Sequence, residues 1–148
     1  MDWALAGLSA HADRLMVAGR RHPTYETVDD RPMPGFGPLG GLAGSMQAAI
    51  AAGYSHLLSL PCDTPFIPEG LLAELSELTD GAFMETCPVI GIWPTNLGVD
   101  LEKYLAADGQ KSVRAWATSA RIRPLSGFDD IANINYEADL AAISDAHD

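Results

Sequence analysis

Gly37 to Pro61, GPLGGLAGSMQAAIAAGYSHLLSLP, changes its apolar rhythm once. Leu39, Leu42, Met46 and Ile50 recur at spacings of three and four, so 39–52 is expected to be an amphipathic helix with a stripe of small residues beside its apolar face. From His56 to Leu60 the rhythm becomes a short apolar run, which reads as a buried strand. A helix delivered straight into a strand is half of an α/β unit. The flanking sequence tells whether the pattern continues.

It continues on both sides. Trp3 to Ala10 reads as the end of a helix, and Asp13 to Gly19 as a strand closing in a glycine turn. The segment RRHPTYETVDDRPMPGFGP is rich in proline and glycine and is expected to be an irregular loop. Pro68 and Glu69 suit a first helical turn whose buried face is Leu71, Leu72, Leu75 and Leu78. Cys87 to Trp93, CPVIGIW, reads as a second buried strand. Residues 98–106 and 111–118 are expected to be short helices broken at Asp108-Gly109, followed by a weaker strand near Arg121 to Leu125. Asn135 can cap a last helix with Tyr136, Leu140 and Ile143 facing inward. Helices interleaved with apolar strands predict an α/β domain with a mostly parallel sheet. Neither repeat nor linker interrupts the chain, so residues 1–148 are expected to form a single domain.

The chain has 148 residues, 47% of them hydrophobic, enough for a sizeable core. Its net charge of −11 leaves no basic patch, so neither nucleic acid nor an anionic membrane surface is an expected partner. No apolar run reaches the roughly 20 residues a membrane span needs. Cys62 and Cys87 match no metal or redox spacing and read as reduced packing thiols in a soluble, cytoplasmic protein. His11, His22, His56 and His147 show no ligand spacing, and neither the nucleophile-elbow nor the phosphate-loop motif is present.

Three groups are candidates for chemistry. Asp63, in SLPCDTPFIP, follows directly on the strand ending at Leu60, where ligands of open α/β sheets bind. Pro61 and Pro65 stiffen its loop. A stiff carboxylate beside such a crevice suits magnesium, which takes one or two protein carboxylates and completes its shell with phosphate and water; a turn or helix start explains the same aspartate equally. Gly35 to Gly44 contains G-x-G-x-x-G, but no apolar strand leads into it and no acid follows at the ribose-binding distance, so the dinucleotide reading fails. What remains is either a close ligand approach to a helix N-terminus or tight packing of that helix on the sheet. Asn133 and Asn135 alternate along an extended segment and point the same way, although Asn135 alone also fits a helix cap. The pair Asp29-Asp30 reads equally as a solvated loop.

GPLGGLAGSMQAAI, LLSLPCDTPFIP, PVIGIWP, KSVRAW and NINYEADL resemble, in order and spacing, segments of the molybdenum cofactor guanylyltransferases. The resemblance implies a Rossmann-like nucleotidyltransferase domain that uses magnesium to transfer GMP from GTP to the molybdopterin cofactor, releasing pyrophosphate. By the same resemblance, Asp63 is the magnesium- and phosphate-binding catalytic aspartate. Asp30 contacts GTP, and Gly37, Pro38, Leu39, Gly40 and Gly41 form the loop near its base and ribose. Asn133 and Asn135 lie near the acceptor phosphate and the metal, with Lys111 and Arg114 as acceptor-side cations. Molybdoenzymes and other cofactor-synthesis proteins are the implied transient partners.

Departures accompany the likeness. The family begins with a strand and a glycine-rich loop followed by a lysine, and these residues show neither, so Met1 reads as an internal methionine of a longer frame. Ala18 stands where an asparagine is common, and Cys87 where a histidine is. The expectation is that these residues alone bind GTP poorly and transfer nothing. Cytidylyl transfer to the same cofactor, sugar-phosphate nucleotidyl transfer and a noncatalytic binding remnant stay open as alternatives.

Overall fold

Residues 8, 12–19, 21–61, 70–107 and 112–126 are described in this computed structural model. The helix expected over 39–52 forms as α1, Pro38–Ala51, burying Leu39, Leu42, Ala43, Met46 and Ala49. Proline suits its first position because that N–H would have no intrahelical acceptor. At the other end Gly53 N–H donates to Ile50 O at 3.1 Å and Tyr54 N–H to Ala49 O at 2.9 Å. This double closure needs a left-handed residue after the cap, and Gly53 supplies it with φ of 88°. The chain reverses at once and runs back along the helix as a strand.

Six strands form among the described residues: β1 (Met16–Ala18), β2 (Glu26–Val28), β3 (His56–Ser59), β4 (Ala82–Met84), β5 (Gly91–Pro94) and β6 (Arg123–Leu125). β1 and β2 pair in parallel as a separate two-stranded sheet, while the other four stand in the order β3-β5-β4-β6. β5 is antiparallel to both β3 and β4, and β6 is parallel to β4. Three strands of that sheet therefore share one direction and β5 opposes them, which gives the expected α/β class a mixed sheet.

The reversal has a local cause. Cys87 N–H donates to Met84 O, and Ile90 N–H to Cys87 O at 2.9 Å. The first half of CPVIGIW is thus a turn, and only Gly91 onward is strand. β2 lies inside the segment expected to be irregular, and β4 falls in a stretch assigned no strand. At three residues each, both are too short to show a period.

Helices α2 (Leu71–Ser76), α3 (Gly98–Ala106) and α4 (Val113–Ser119), with a 3-10 turn at Thr95–Leu97 leading into α3, complete the described elements. Alternation along β4 and β5 sorts the core onto two faces. Phe83 and Trp93 point toward α1, α3 and α4, where they meet Met46, Leu101 and Trp116. Ala82, Met84 and Ile92 point toward Leu71, Leu72 and Leu75 of α2, with Cys87 packed against the same group. The Trp93 ring lies 5.3 Å from that of Trp116 and is fully buried. Its Nε1–H donates to Ser59 Oγ at 2.8 Å, and Ser59 donates onward to Val89 O. Losing that indole would cost about 3–5 kcal/mol. Of the expected helix end at Trp3 to Ala10 only Leu8 is described, and it is helical; the first turn at Pro68 and Glu69, Cys62, and the last helix from Asn135 lie outside the described residues.

Candidate functional site

Beyond Val28 the chain crosses the N-terminal end of α1, and the glycines there explain how closely. A Cβ on Gly44 would sit 2.0 Å from the backbone oxygen of Asp29, so nothing larger than hydrogen fits. The next residue, Asp30, lies in a cup of three glycines. Its side chain comes within 3.2 Å of the position a Cβ on Gly40 would occupy, and its Oδ1 within 3.5 Å and 3.6 Å of those on Gly19 and Gly41. Arg31 N–H donates to Gly40 O at 3.0 Å and fixes the crossing. The Arg31 guanidinium reaches across to Glu102 of α3 at 2.7 Å.

Asp29 and Asp30 therefore differ in kind: Asp29 is exposed, whereas Asp30 is half-buried beside a helix N-terminus. That terminus has Gly37 as its cap residue and, among the described residues, no side-chain cap hydrogen bond. Orphan N–H groups and the helix dipole make it positive and leave donors for an anionic ligand. The two readings of the glycine-rich segment are thus divided between residues. Gly44 serves packing, Gly41 is closely approached by Ala18 and Asp30, and Gly37 faces open space.

That space is a cavity of about 660 Å³ whose walls include Ala18, Asp30, Gly37, Pro38, Gly41 and Pro61. Leu39 points the other way and is fully buried in the core, so any contact it makes with a ligand uses its backbone. Gly40 lies beneath Asp30. Arg114, on α4, donates to the backbone oxygen of Glu85 in the β4–β5 turn and does not line the cavity. Asp63, Lys111, Asn133 and Asn135 lie outside the described residues. Gly19 and Ser45 also line the cavity. The signal for Ser45 is the small-residue stripe at 41, 45 and 49, one face of α1; the turn at Gly19 gave no hint of a ligand wall.

Among the described residues no three His, Cys, Asp or Glu groups converge as a metal site, and no helix is long and apolar enough to cross a membrane.

A mixed α/β sheet with an acid and a helix N-terminus at the edge of a cavity is an arrangement able to take an anionic ligand, as α/β nucleotide-binding domains do. Sequence comparison gives the family: residues 1–122 match the MobA-like NTP transferase domain, and the chain belongs to that family. Relatives named molybdenum cofactor guanylyltransferase include one from Acidiphilium cryptum, 30% identical over 96% of this chain and 78% of its own length. One from Cereibacter sphaeroides is 34% identical over 90% of this chain and 70% of its own. A third, from Rhizobium meliloti, is 39% identical over 62% of this chain, which spans 46% of that relative.

Proposed function

We propose that the chain is the nucleotidyltransferase domain of a cytoplasmic enzyme that transfers GMP from GTP to the molybdopterin cofactor and releases pyrophosphate. The observation that carries this reading is Asp30, held in its glycine cup at the uncapped N-terminus of α1 beside the cavity. A carboxylate there only accepts hydrogen bonds, and a guanosine nucleotide brings donors on its base and ribose. The relatives' names supply guanine and the acceptor.

Within this reading Asp30 orients the nucleoside, and the backbone of Gly37 to Gly41 lets it lie close. Asp63 is the proposed ligand for a divalent cation. Pro61, two residues earlier, lines the cavity. One carboxylate suits magnesium, which draws most of its shell from phosphate and water; when bound, the ion neutralises charge developing on the phosphates. The acceptor side falls to Asn133, Asn135, Lys111 and Arg114. Arg114 keeps further donors after its bond to Glu85, since a guanidinium carries five N–H groups. Transfer needs only alignment of the acceptor phosphate with the α-phosphate, without a covalent enzyme intermediate.

Calorimetry with GTP and magnesium tests the assignment. Losing a charge-assisted hydrogen bond costs about 1.5–3 kcal/mol, so Asp30→Ala should raise the Kd for GTP by roughly 10- to 150-fold while leaving the melting curve in place. Unchanged affinity would remove Asp30 from the site. Asp63→Ala should abolish magnesium-dependent transfer with little change in fold, and wild-type turnover at saturating magnesium would refute its role.

A further inference from the structure

A hydroxyl ties the end of β3 to the β4–β5 turn. Ser59 stands opposite Gly91 in the β3–β5 register, and Trp93, two residues beyond Gly91, lies on the same face. A Cβ on Gly91 would come within 2.6 Å and 2.8 Å of the Trp93 ring, so the indole lies back along its own strand over the room that glycine leaves. There its Nε1–H reaches Ser59 Oγ at 2.8 Å. A buried indole needs an acceptor, which many groups could supply. A hydroxyl also donates, and that of Ser59 donates to Val89 O, 30 residues further along the chain.

The turn it reaches is stiff. Met84 N–H donates to Ile90 O at 2.8 Å and closes its base, Ile90 N–H donates to Cys87 O at 2.9 Å within it, and Glu85 N–H donates to Leu125 O at 3.0 Å. Two side chains hold it from outside: Ser59 at Val89 O, and Arg114 of α4 at Glu85 O. Ser59 and Val89 both border the cavity, as do Leu60 and Pro61, which follow β3 in the chain on the way to Asp63. One rigid turn thus connects the strand end that leads to the proposed metal ligand with the proposed acceptor-side arginine.

We infer that Ser59 is a positioning residue for nucleotidyl transfer: its hydroxyl sets the end of β3 against the turn that Arg114 holds, and so aligns the metal side of the site with the acceptor side. The inference rests on the roles proposed above for Asp63 and Arg114. Its donor is engaged by Val89 and its acceptor by Trp93, so the hydroxyl acts through the turn. In-line transfer is sensitive to such placement, since a displacement of about 1 Å can cost about 100-fold in rate.

Threonine and valine separate the hydroxyl from the packing. They have nearly the same shape and both suit a strand, but only threonine can bond Trp93 and Val89. In the full-length protein at saturating GTP and molybdopterin, Ser59→Thr should keep kcat within about twofold of wild type, whereas Ser59→Val should lower it by at least about tenfold. Ser59→Val should also raise the half-saturating magnesium concentration by at least about threefold while leaving the Kd for GTP without magnesium within about twofold, because Asp30 and its glycine cup are untouched. Gly91→Ala crowds the indole away from Ser59 without altering the hydroxyl and should shift the magnesium dependence in the same direction; it carries the test if Ser59→Val does not fold. Equal kcat and magnesium dependence in the threonine and valine variants, or a loss of GTP affinity that matches the loss of rate, would overturn the inference and leave Ser59 a purely structural link. A wild-type enzyme that transfers no GMP would instead refute the proposed function, and this inference with it.

Discussion

The two ends of α1 are finished in opposite ways. At the C-terminal end Gly53, at φ of 88°, lets two backbone N–H groups close the last turn, and the chain re-enters the sheet three residues later, at His56. At the N-terminal end no side chain caps the helix, and Gly37 and Gly41 face a cavity that Asp30 shares. Both ends use glycine, at one for closing the backbone and at the other for leaving room. A glycine-rich helix is therefore not one motif but several positions with separate physical causes, and substitution should tell them apart.

The largest effect is expected in the middle of the contrast, at Gly44. Any side chain there meets the Asp29 backbone oxygen at 2.0 Å, so helix and crossing strand must separate. Gly44→Leu should cost about 3 kcal/mol by denaturant titration, at the upper end of overpacking. Because Asp30 is next in the chain, GTP affinity should fall with stability. Lost affinity with intact stability would mean that Gly44 serves the ligand and not the packing.

Gly53→Ala should have a smaller and cleaner effect. A left-handed conformation costs a residue with a Cβ about 1–2 kcal/mol, and nothing else crowds that position. Stability should drop by that amount with GTP binding unchanged once the protein is folded. Equal sensitivity of nucleotide binding at Gly53 and Gly44 would erase the distinction between the two ends.

The same distinction explains what could be read in the sequence. α1 and β3 were legible because Leu39, Leu42 and Met46 repeat over several turns and the strand follows a short glycine-bearing turn. β2 and β4 were not, since three residues carry no period and β2 sits among prolines that announce a loop. Within the site, Asp29 and Asp30 are indistinguishable as neighbouring acids. Only the packing of Gly40 and Gly44 against them makes one exposed and the other cupped, and that is a tertiary fact. The split between β1–β2 and the four-stranded sheet was likewise invisible to local pattern, because it depends on which edges find a partner. The magnesium and acceptor assignments at Asp63, Lys111, Asn133 and Asn135 rest on the resemblance and lie outside the described residues.

The smallest effect is expected at the tether beside the open end. Arg31 pairs with Glu102 at 2.7 Å, with side chains 49% and 20% exposed, and links the residue after Asp30 to α3. Exposed pairs contribute about 0.2–1 kcal/mol, so Arg31→Ala should lower stability by no more than that at low salt. The difference should vanish near 1 M salt, where screening acts over about 3 Å. A double-mutant cycle with Glu102→Ala isolates the coupling. Arg31 also bears on the ligand, since it offsets the acids beside a site proposed to take a triphosphate. If the single variant weakens GTP binding by a larger free energy than it removes from stability, Arg31 belongs with the open end of α1; if the two losses match, the pair only holds the Asp30 segment against α3.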